Sequence, residues 1–325
     1  MLSHETIEES PLPPREPGHI PVLLDQVLEL LAPVPGALLI DATLGAGGHA
    51  EALLEAVAPG GRVVGIDRDT AALELAAERL RRFGASFLAL RGDHEDLVRL
   101  LHQTGVFAVD GILLDLGVSS MQLDDPLRGF SFRADGPLDM RMDLDSRKTA
   151  ADLVANSDED ELRQILFTFG EERRARSIAR AIVRQRRISP LTRTRELAEL
   201  VERVLGPQAR RRRIHPATRT FQALRIAVNR ETIGLKQLVT DAASLLRRGG
   251  RVVVISYHSL EDRPVKQAMK SLAERCTCPP RLPVCGCGRE DVLRLLTPKP
   301  RRPGSAEVER NPRSRSAKLR AGERL

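Results

Sequence analysis

Four apolar runs in the first 115 residues, separated by helical segments, each lead into acidic or polar residues. These residues are Asp41, Asp67, the pair Asp93 and His94, and Asp115. Apolar runs that alternate with helical segments predict a parallel sheet with helices on both faces. The carboxyl ends of its strands share one edge, which is where such sheets bind ligands. We therefore expect these polar side chains to surround one ligand crevice.

A glycine-rich turn follows the first run and contains Gly45, Gly47 and Gly48. Glycine permits positive φ and close approach of a ligand, and the helix that follows offers free N–H groups. Asp67 lies nineteen residues beyond Gly48, a spacing typical of a carboxylate that binds ribose hydroxyls. The turn also fits the dinucleotide fingerprint, so this segment alone leaves a nicotinamide dinucleotide and another nucleoside cofactor open.

Composition narrows the class of protein. The chain has 325 residues, 42% of them hydrophobic, and no run of eighteen apolar residues that could span a membrane. Residues 1–18 are acidic and proline-rich, which predicts a disordered leader rather than a signal peptide and hence a cytoplasmic protein. The net charge of +7 favours a nucleic-acid partner, with a merely solvated basic surface as the alternative.

The strand pattern stops after the fourth run. Residues 134–209 show helical periodicity with no convincing strand, and a fifth strand is expected only at Arg251–Ile255. We therefore predict an all-helical domain at 134–209, inserted into an α/β sheet domain formed by 19–133 and 210–325. Ser157 is the expected N-cap of one inserted helix.

Longer motifs resemble the RsmH (MraW) family of S-adenosylmethionine-dependent methyltransferases, which modify a cytidine N4 in small-subunit ribosomal RNA. The matching segments are 115–124, 128–132, 136–143, 170–173, 215–226, 256–263 and 311–320. The likeness runs from about His19 to the C-terminus. Met121 and Tyr257 replace the expected Pro and Phe, and His94 stands where an aromatic residue is usual.

The resemblance implies a class I (Rossmann-like) methyltransferase sheet of seven strands, the last two at 291–297 and 316–319. S-adenosylmethionine is the implied cofactor, with Asp67 on the ribose and His94 against the adenine. Asp41 is a further candidate for the cofactor's ammonium group. The full set of implied cofactor residues is Gly47, Gly48, His49, Asp67, His94, Asp115 and Gln122.

A cytosine N4 is a weak nucleophile because its lone pair is delocalised into the ring, so a nearby group should accept its proton. The candidates are Asp115, Ser119 and Ser120, followed by Asp139 and His258. The base must also leave its stack to be methylated. Phe130, Phe132 and Tyr257 are the candidates to stack on it.

The implied substrate is small-subunit ribosomal RNA within the ribosomal subunit, near the decoding centre, and a homodimer is left open. Basic residues around the site are the expected RNA contacts. They are Arg128, Arg133, Arg141, Arg210, Arg211, Arg212, Arg213, Arg219, Arg225 and Arg263. For the run 210–213 a phosphate contact is favoured over a solvated loop, because consecutive arginines repel one another without an anion.

All four cysteines lie in two close pairs, Cys276 with Cys278 and Cys285 with Cys287. A disulfide framework is not expected in a cytoplasmic protein. The pairs predict a small structural zinc site, with free thiols as the open alternative because Cys-x-Cys is tighter than the usual zinc spacing.

Two other functions fit parts of the sequence. An NAD-dependent oxidoreductase is allowed by the glycine turn, although no obvious proton-relay residues accompany it. A non-catalytic, RNA-binding ribosome-assembly factor would fit the charge, but the intact acidic series at the strand ends argues against it.

Overall fold

One mixed sheet of seven strands organises the molecule. The computed structural model describes residues 21–210, 214–274 and 292–325. The strand order is β3-β2-β1-β4-β5-β7-β6, in which β1 to β5 pair in parallel and β7 pairs antiparallel with both β5 and β6. The strands are β1 (Leu38–Asp41), β2 (Arg62–Asp67), β3 (Phe87–Arg91), β4 (Val109–Asp115), β5 (Leu246–Ser256), β6 (Leu293–Leu295) and β7 (Lys318–Arg324). The predicted class I methyltransferase sheet is confirmed, including its last two strands.

The central strands are apolar on both faces because helices cover both. Ile112, Leu113 and Leu114 in β4 are fully buried, and they alternate between two separate hydrophobic clusters. Such continuous apolar runs are expected where a parallel sheet is covered on both sides.

Fourteen α-helices complete the described part of the chain. Helices α1, α2 and α3 pack in the cluster on one face of the sheet, and α4, α12 and α13 in the cluster on the other. The helices are α1 (Leu24–Leu31), α2 (Gly48–Val57), α3 (Thr70–Leu80), α4 (Leu97–Gln103), α5 (Ser120–Asp124), α6 (Ala150–Asn156), α7 (Glu159–Gly170), α8 (Ala175–Arg186), α9 (Thr194–Leu205), α10 (Pro207–Arg210), α11 (Thr218–Asn229), α12 (Leu235–Leu245), α13 (Ser259–Ala273) and α14 (Ser305–Arg310).

The segment between β4 and β5 is helical, as its periodicity predicts. No strand of the sheet falls within the described residues 134–209. Helices α6 to α9 bury their apolar sides in a third cluster, which includes Leu166, Ile178 and Val201. Phe221 and Leu224 of α11 join the same cluster, so the helical core extends beyond residue 209. That 134–209 form a separate domain stays a prediction.

The expected cap at Ser157 is wrong by one residue. Asp158 is the N-cap of α7, and its side chain accepts the Glu161 N–H at 2.8 Å, whereas Ser157 ends α6. Both residue types cap well, and Asp158 reaches the third N–H of the helix.

Three sequence predictions lie outside the described residues, in whole or in part. The leader at 1–18, the basic run at 210–213 except for the Arg210 backbone, and the four cysteines, Cys276, Cys278, Cys285 and Cys287, are not described. In the described part of the chain, no helix combines the length and apolarity needed to cross a membrane.

Candidate functional site

Three carboxylates meet at the carboxyl ends of adjacent strands. Asp41 ends β1, Asp67 ends β2 and Asp115 ends β4, and β1 lies between the other two. The sheet register pairs Asp41 with Gly65 on one side and with Leu113 on the other. The structure thus brings together the acidic residues that the sequence placed at one edge.

The glycine turn connects β1 to α2 beside these carboxylates. Gly45 and Gly47 have φ values of 52° and 77°, which favour glycine. The Gly45 N–H donates to Asp67 Oδ2 at 2.8 Å, so the turn is fastened to the end of β2. A Cβ on Gly47 would lie 3.1 Å from Leu80, and one on Gly48 would lie 2.8 Å from Pro21, whereas Gly45 faces open space. The turn therefore packs closely on one side and leaves the other open to a ligand.

Burial keeps protons on these acids at unusually high pH. Burial raises the pKa of Asp41 to about 7, and the nearby charge of Asp67 adds to this, although the Thr43 N–H opposes it. Burial also raises the pKa of Asp67, against hydrogen bonds from the N–H groups of Asp69 and Gly45. Asp41 Oδ2 is buried with no hydrogen-bond partner among the described residues. An unpartnered carboxylate oxygen in this crevice is a site for a cationic or hydrogen-bond-donating ligand.

Asp115 lies at the centre of a small polar network. Its Oδ1 accepts the Tyr257 hydroxyl at 2.9 Å, and its N–H donates to Thr43 Oγ1 at 2.6 Å. Its Oδ2 lies 3.7 Å from His49 Nδ1, while His49 Nε2 donates to the Val22 carbonyl at 3.0 Å. Burial raises the pKa of Asp115 to about 7; the Tyr257 bond lowers it, and the charges of Asp41 and Glu261 raise it. A carboxyl with this pKa can gain or lose a proton at neutral pH.

His258 belongs to a second polar cluster beside this network. Its Nε2 lies 2.9 Å from Glu261 Oε1, and its Nδ1 is buried without a hydrogen-bond partner in the described residues. Burial of Glu261 opposes ionisation, but the bond from His258 and the charge of Arg225 outweigh it, so the pKa of Glu261 lies below its usual value. Glu261 also accepts the Tyr257 N–H at 2.8 Å. The cluster therefore fixes the residue whose hydroxyl binds Asp115.

Glu231 completes that cluster and pairs with Arg225. One ligand atom from each of Glu231, His258 and Glu261 lies within 4.8 Å of the others, as in a metal site. However, Arg225 donates to both oxygens of Glu231, at 2.9 and 2.7 Å, and already supplies a positive charge. Arg225 is thus engaged within the protein, and its role as an RNA contact stays a prediction.

Arg128 and Gln122 likewise bind within the protein. The Arg128 guanidinium lies 2.8 Å from Asp69 Oδ2 and donates to the Arg141 and Met142 carbonyls. Gln122 donates to the same Asp69 oxygen at 2.9 Å and accepts the Ser119 N–H at 3.1 Å. Arg128 therefore connects the 139–146 loop to Asp69, and its role as an RNA contact stays a prediction. Gln122 positions Asp69, two residues after Asp67, and its predicted contact with the cofactor stays a prediction.

Asp139 and Arg141 bind each other. Arg141 donates to both carboxylate oxygens of Asp139, at 2.8 and 2.7 Å, and also to the carbonyls of Leu144 and Ser146. These bonds fold the 139–146 loop. Neither the predicted catalytic role of Asp139 nor the RNA contact of Arg141 gains support, because the groups they would use are already bonded.

Five further predicted residues are partly or fully exposed. Ser119 caps α5 by accepting the Gln122 N–H, and both Ser119 and Ser120 are partly exposed. Arg133, Arg219 and Arg263 are exposed. The side chain of Arg210 and all of Arg211, Arg212 and Arg213 lie outside the described structure.

His94 is mostly buried beside Asp93, with 3.3 Å between Nδ1 and Oδ1. Burial lowers the pKa of His94, against the attraction of Asp93, which favours a neutral ring suited to packing against a base. Arg68, which the sequence did not single out, donates to Asp93 at 3.1 Å and to Met142 Sδ at 2.9 Å. Arg68 links the crevice to the loop at 139–146. In the sequence, the one feature that could have pointed to this role is its position next to Asp67.

The aromatic candidates take different places. Phe130 is buried, with the Arg128 guanidinium 5.9 Å from its ring centre. Phe132 stacks on His215, with 4.4 Å between ring centres. Tyr257 contributes its hydroxyl to Asp115, as described. Phe130 is thus buried, whereas Phe132 and Tyr257 are partly exposed, and stacking of the target base on any of them stays a prediction.

Several known proteins are similar to this chain over most of its length. The model of the MraW methylase family matches residues 16–325. A Trichlorobacter lovleyi protein named ribosomal RNA small subunit methyltransferase H is 54% identical over 94% of this chain and 98% of its own length. One of the same name from Thermomicrobium roseum is 53% identical over 96% and 95%. A putative rRNA-methylase structure from Clostridium thermocellum aligns over 94% of this chain and 100% of that chain, at 12% identity and a TM-score of 0.44.

Proposed function

The chain belongs to the MraW methylase family, and we propose that it transfers a methyl group from S-adenosylmethionine to a cytidine N4 in small-subunit ribosomal RNA. The observation that best supports this proposal is the set of three carboxylates at the ends of adjacent strands beside a glycine turn, Asp41, Asp67 and Asp115. The family is one of methylases, which favours this function over the oxidoreductase and the non-catalytic factor. The location near the decoding centre, the cytoplasmic site and a homodimer stay predictions.

The donor set fits the proposed cofactor. S-adenosylmethionine supplies a sulfonium methyl group, which is already activated for transfer. Asp67 can accept hydrogen bonds from the hydroxyl groups of a ribose, because each of its oxygens keeps a lone pair after binding one N–H. Asp41 and Asp115 can balance a positive charge, and the unpartnered Asp41 Oδ2 can accept an ammonium proton. The open side of the glycine turn at Gly45 leaves room beside them.

We assign Asp115 as the group that takes up the N4 proton. When bound, S-adenosylmethionine would supply the methyl group, with its sulfur–methyl bond broken and S-adenosylhomocysteine as the leaving group. As the N4–methyl bond forms, an N4–H bond breaks and its proton passes to the Asp115 carboxylate. A pKa of about 7 suits this role near neutral pH, because the carboxyl is partly ionised and still basic. The Tyr257 hydroxyl holds Oδ1 at 2.9 Å, so Oδ2 is the oxygen that is left for the proton. His258 remains a second candidate, through its unpartnered Nδ1.

The test is methyl transfer to small ribosomal subunits that lack the modification. We expect labelled S-adenosylmethionine to place the label on a cytidine N4, identified by nucleoside mass analysis. Asp115→Asn should lower turnover about a hundredfold or more, the range for losing an acid–base group. Asp25→Asn, which changes an exposed residue in α1, is the control and should be unaffected. A label on guanosine, on a ring carbon or on protein would overturn the proposal.

A further inference from the structure

A second concavity lies in the helical part of the protein. It has a volume of about 480 Å³ and lies between α9 and the loop that carries Phe132. Its lining includes Phe132, His215, Arg195, Glu199, Glu202 and Arg203. An aromatic ring, a histidine and two arginines around one hollow are the side chains that stack on bases and bind phosphates.

His215 is held as a rigid platform. Its Nδ1 accepts the Ala217 N–H at 3.2 Å, and its Nε2 lies 2.7 Å from Glu202 Oε1. One ring face stacks on Phe132 at 4.4 Å, and Phe132 itself meets Phe221 edge-on at 4.9 Å. The His215 side chain nevertheless stays 39% exposed. A ring fixed at both nitrogens, backed by two aromatic residues and still open to solvent, is suited to stacking on a base.

Charges around the platform match a nucleotide. Arg195, Glu199 and Arg203 are exposed and lie four residues apart along one face of α9. The arginines can bind phosphate, while a carboxylate can accept a hydrogen bond from an amino group of a base. The basic run 210–213 directly precedes Ile214 and His215 in the sequence, which adds to the attraction for RNA.

The loop that carries Phe132 is connected both to the residues after β2 and to α9. Phe132 is four residues from Arg128, whose guanidinium lies 2.8 Å from Asp69, and four residues span at most about 14 Å. The same loop is fixed to α9, because Thr194 N–H donates to the Gly136 carbonyl at 2.9 Å and Thr194 Oγ1 accepts the Gly136 N–H at 3.1 Å. The pocket therefore lies on a loop that is held at a set position and connected to the end of β2 through Arg128 and Asp69.

We propose that this pocket binds a nucleotide that neighbours the methylated cytidine. Its base stacks on His215, its phosphate lies against Arg195 or Arg203, and Glu199 accepts a base amino group. The pocket would thereby fix the register of the RNA strand while the target base enters the crevice. This inference rests on the proposed function, since it takes single-stranded RNA as the occupant.

The test is steady-state methylation of unmodified small ribosomal subunits by His215→Ala. We expect KM for the subunits to rise about tenfold, with kcat and S-adenosylhomocysteine affinity changed less than twofold, because a lost stack weakens RNA binding alone. His215→Phe should restore most of the loss, since it keeps a stacking ring. His102→Ala is the matched control: His102 is also exposed and contacts a phenylalanine, Phe107, at 4.9 Å, but lies on α4.

Arg203→Ala supplies an independent variant that leaves the aromatic stack intact, and its KM should rise severalfold. Ultraviolet cross-linking of the bound subunit should join an RNA nucleotide to the peptide that contains His215. An unchanged KM in both His215→Ala and Arg203→Ala, or a cross-link to a ribosomal protein instead, would overturn the inference. Cytidine N4 methylation by the unaltered protein in the same assay would then show that the proposed function still holds.

Discussion

Asp41 provides a direct test of how the crevice is built. Its carboxyl is 1% exposed, and one of its oxygens has no hydrogen-bond partner in the described residues. Burial raises its pKa from 3.8 to about 7. Asp41→Asn keeps the shape and removes the charge. We expect the free energy of unfolding of the cofactor-free variant, relative to the unaltered protein, to be higher at alkaline pH than at acidic pH. We also expect the variant to bind the cofactor more weakly.

The direction follows from the pKa in each state. Well below pH 4 the carboxyl is protonated in both the folded and the unfolded chain. As the pH rises to about 7, the unfolded chain ionises first, so the folded state progressively loses stability relative to the unfolded state. The total loss is about 4 kcal/mol, of which about 3 kcal/mol falls between pH 5 and pH 8.5. Asp41→Asn does not lose this stability, because asparagine has no ionisable group at this position.

The assay is denaturant unfolding of cofactor-free protein at pH 5 and pH 8.5. The free energy of unfolding of Asp41→Asn, relative to the unaltered protein, should rise by about 3 kcal/mol between the two values. The unpaired amide that asparagine introduces costs about 1–3 kcal/mol, but this cost is the same at both pH values and cancels in the comparison. Asp25→Asn, at an exposed site, controls for the general effect of one lost negative charge.

The result can refute the reasoning in two ways. An equal stability difference at pH 5 and pH 8.5 would mean that Asp41 does not titrate between them, and the buried carboxyl would not be strained. A difference of opposite sign would mean that a group other than Asp41 dominates the pH dependence between these values, because an Asp41 carboxylate stabilised as an ion would change stability only below about pH 5. Either result would also remove the basis for assigning its free oxygen to a cationic ligand.

Three further predictions concern the cofactor, the proton acceptor and the cysteines. Asp67→Asn should weaken S-adenosylhomocysteine binding at least tenfold in calorimetry, since charged acceptors of hydrogen bonds contribute about 1.5–3 kcal/mol; NAD should not bind, and tight NAD binding would contradict the cofactor assignment. Tyr257→Phe removes the hydroxyl that lowers the pKa of Asp115, so the midpoint of the pH–rate profile should move to higher pH, and an unmoved midpoint would exclude Asp115 as proton acceptor. Protein purified without chelator should contain about one zinc ion per chain, held by Cys276, Cys278, Cys285 and Cys287; metal-free protein with four titratable thiols would reject that site.

The sheet and its acidic edge could be predicted because each depends on a local pattern. An apolar run that ends at Asp41 or Asp115 specifies both a buried strand and the edge where its last side chain lies. The short range of that signal explains its success, since neither conclusion needs a distant partner.

Arginine roles could not be predicted in the same way, because a guanidinium's partner is set by the fold. Arg225 and Arg219 lie on the same helix and carry the same charge in the sequence. In the structure Arg225 is partly buried and paired with Glu231, whereas Arg219 is exposed and donates to the Glu171 carbonyl at 2.9 Å. Net charge therefore predicts that a polyanion binds, but it does not predict which cations remain available for it.

The loop after β2 shows why residues that bind several distant partners could not be predicted from the sequence. Asp67 faces the crevice, and the two residues that follow it reach into the helical part of the chain. Arg68 donates to the Asn229 carbonyl at 3.2 Å and to Met142, while Asp69 binds Arg128 and Gln122. A ligand that orders Asp67 would therefore also order the loop leading to Phe132, since both ends of this connection are buried and hydrogen-bonded. The crevice and the helical part of the chain are thus joined through three consecutive residues, and the helical-part partners of Arg68 and Asp69 lie more than fifty residues away along the chain.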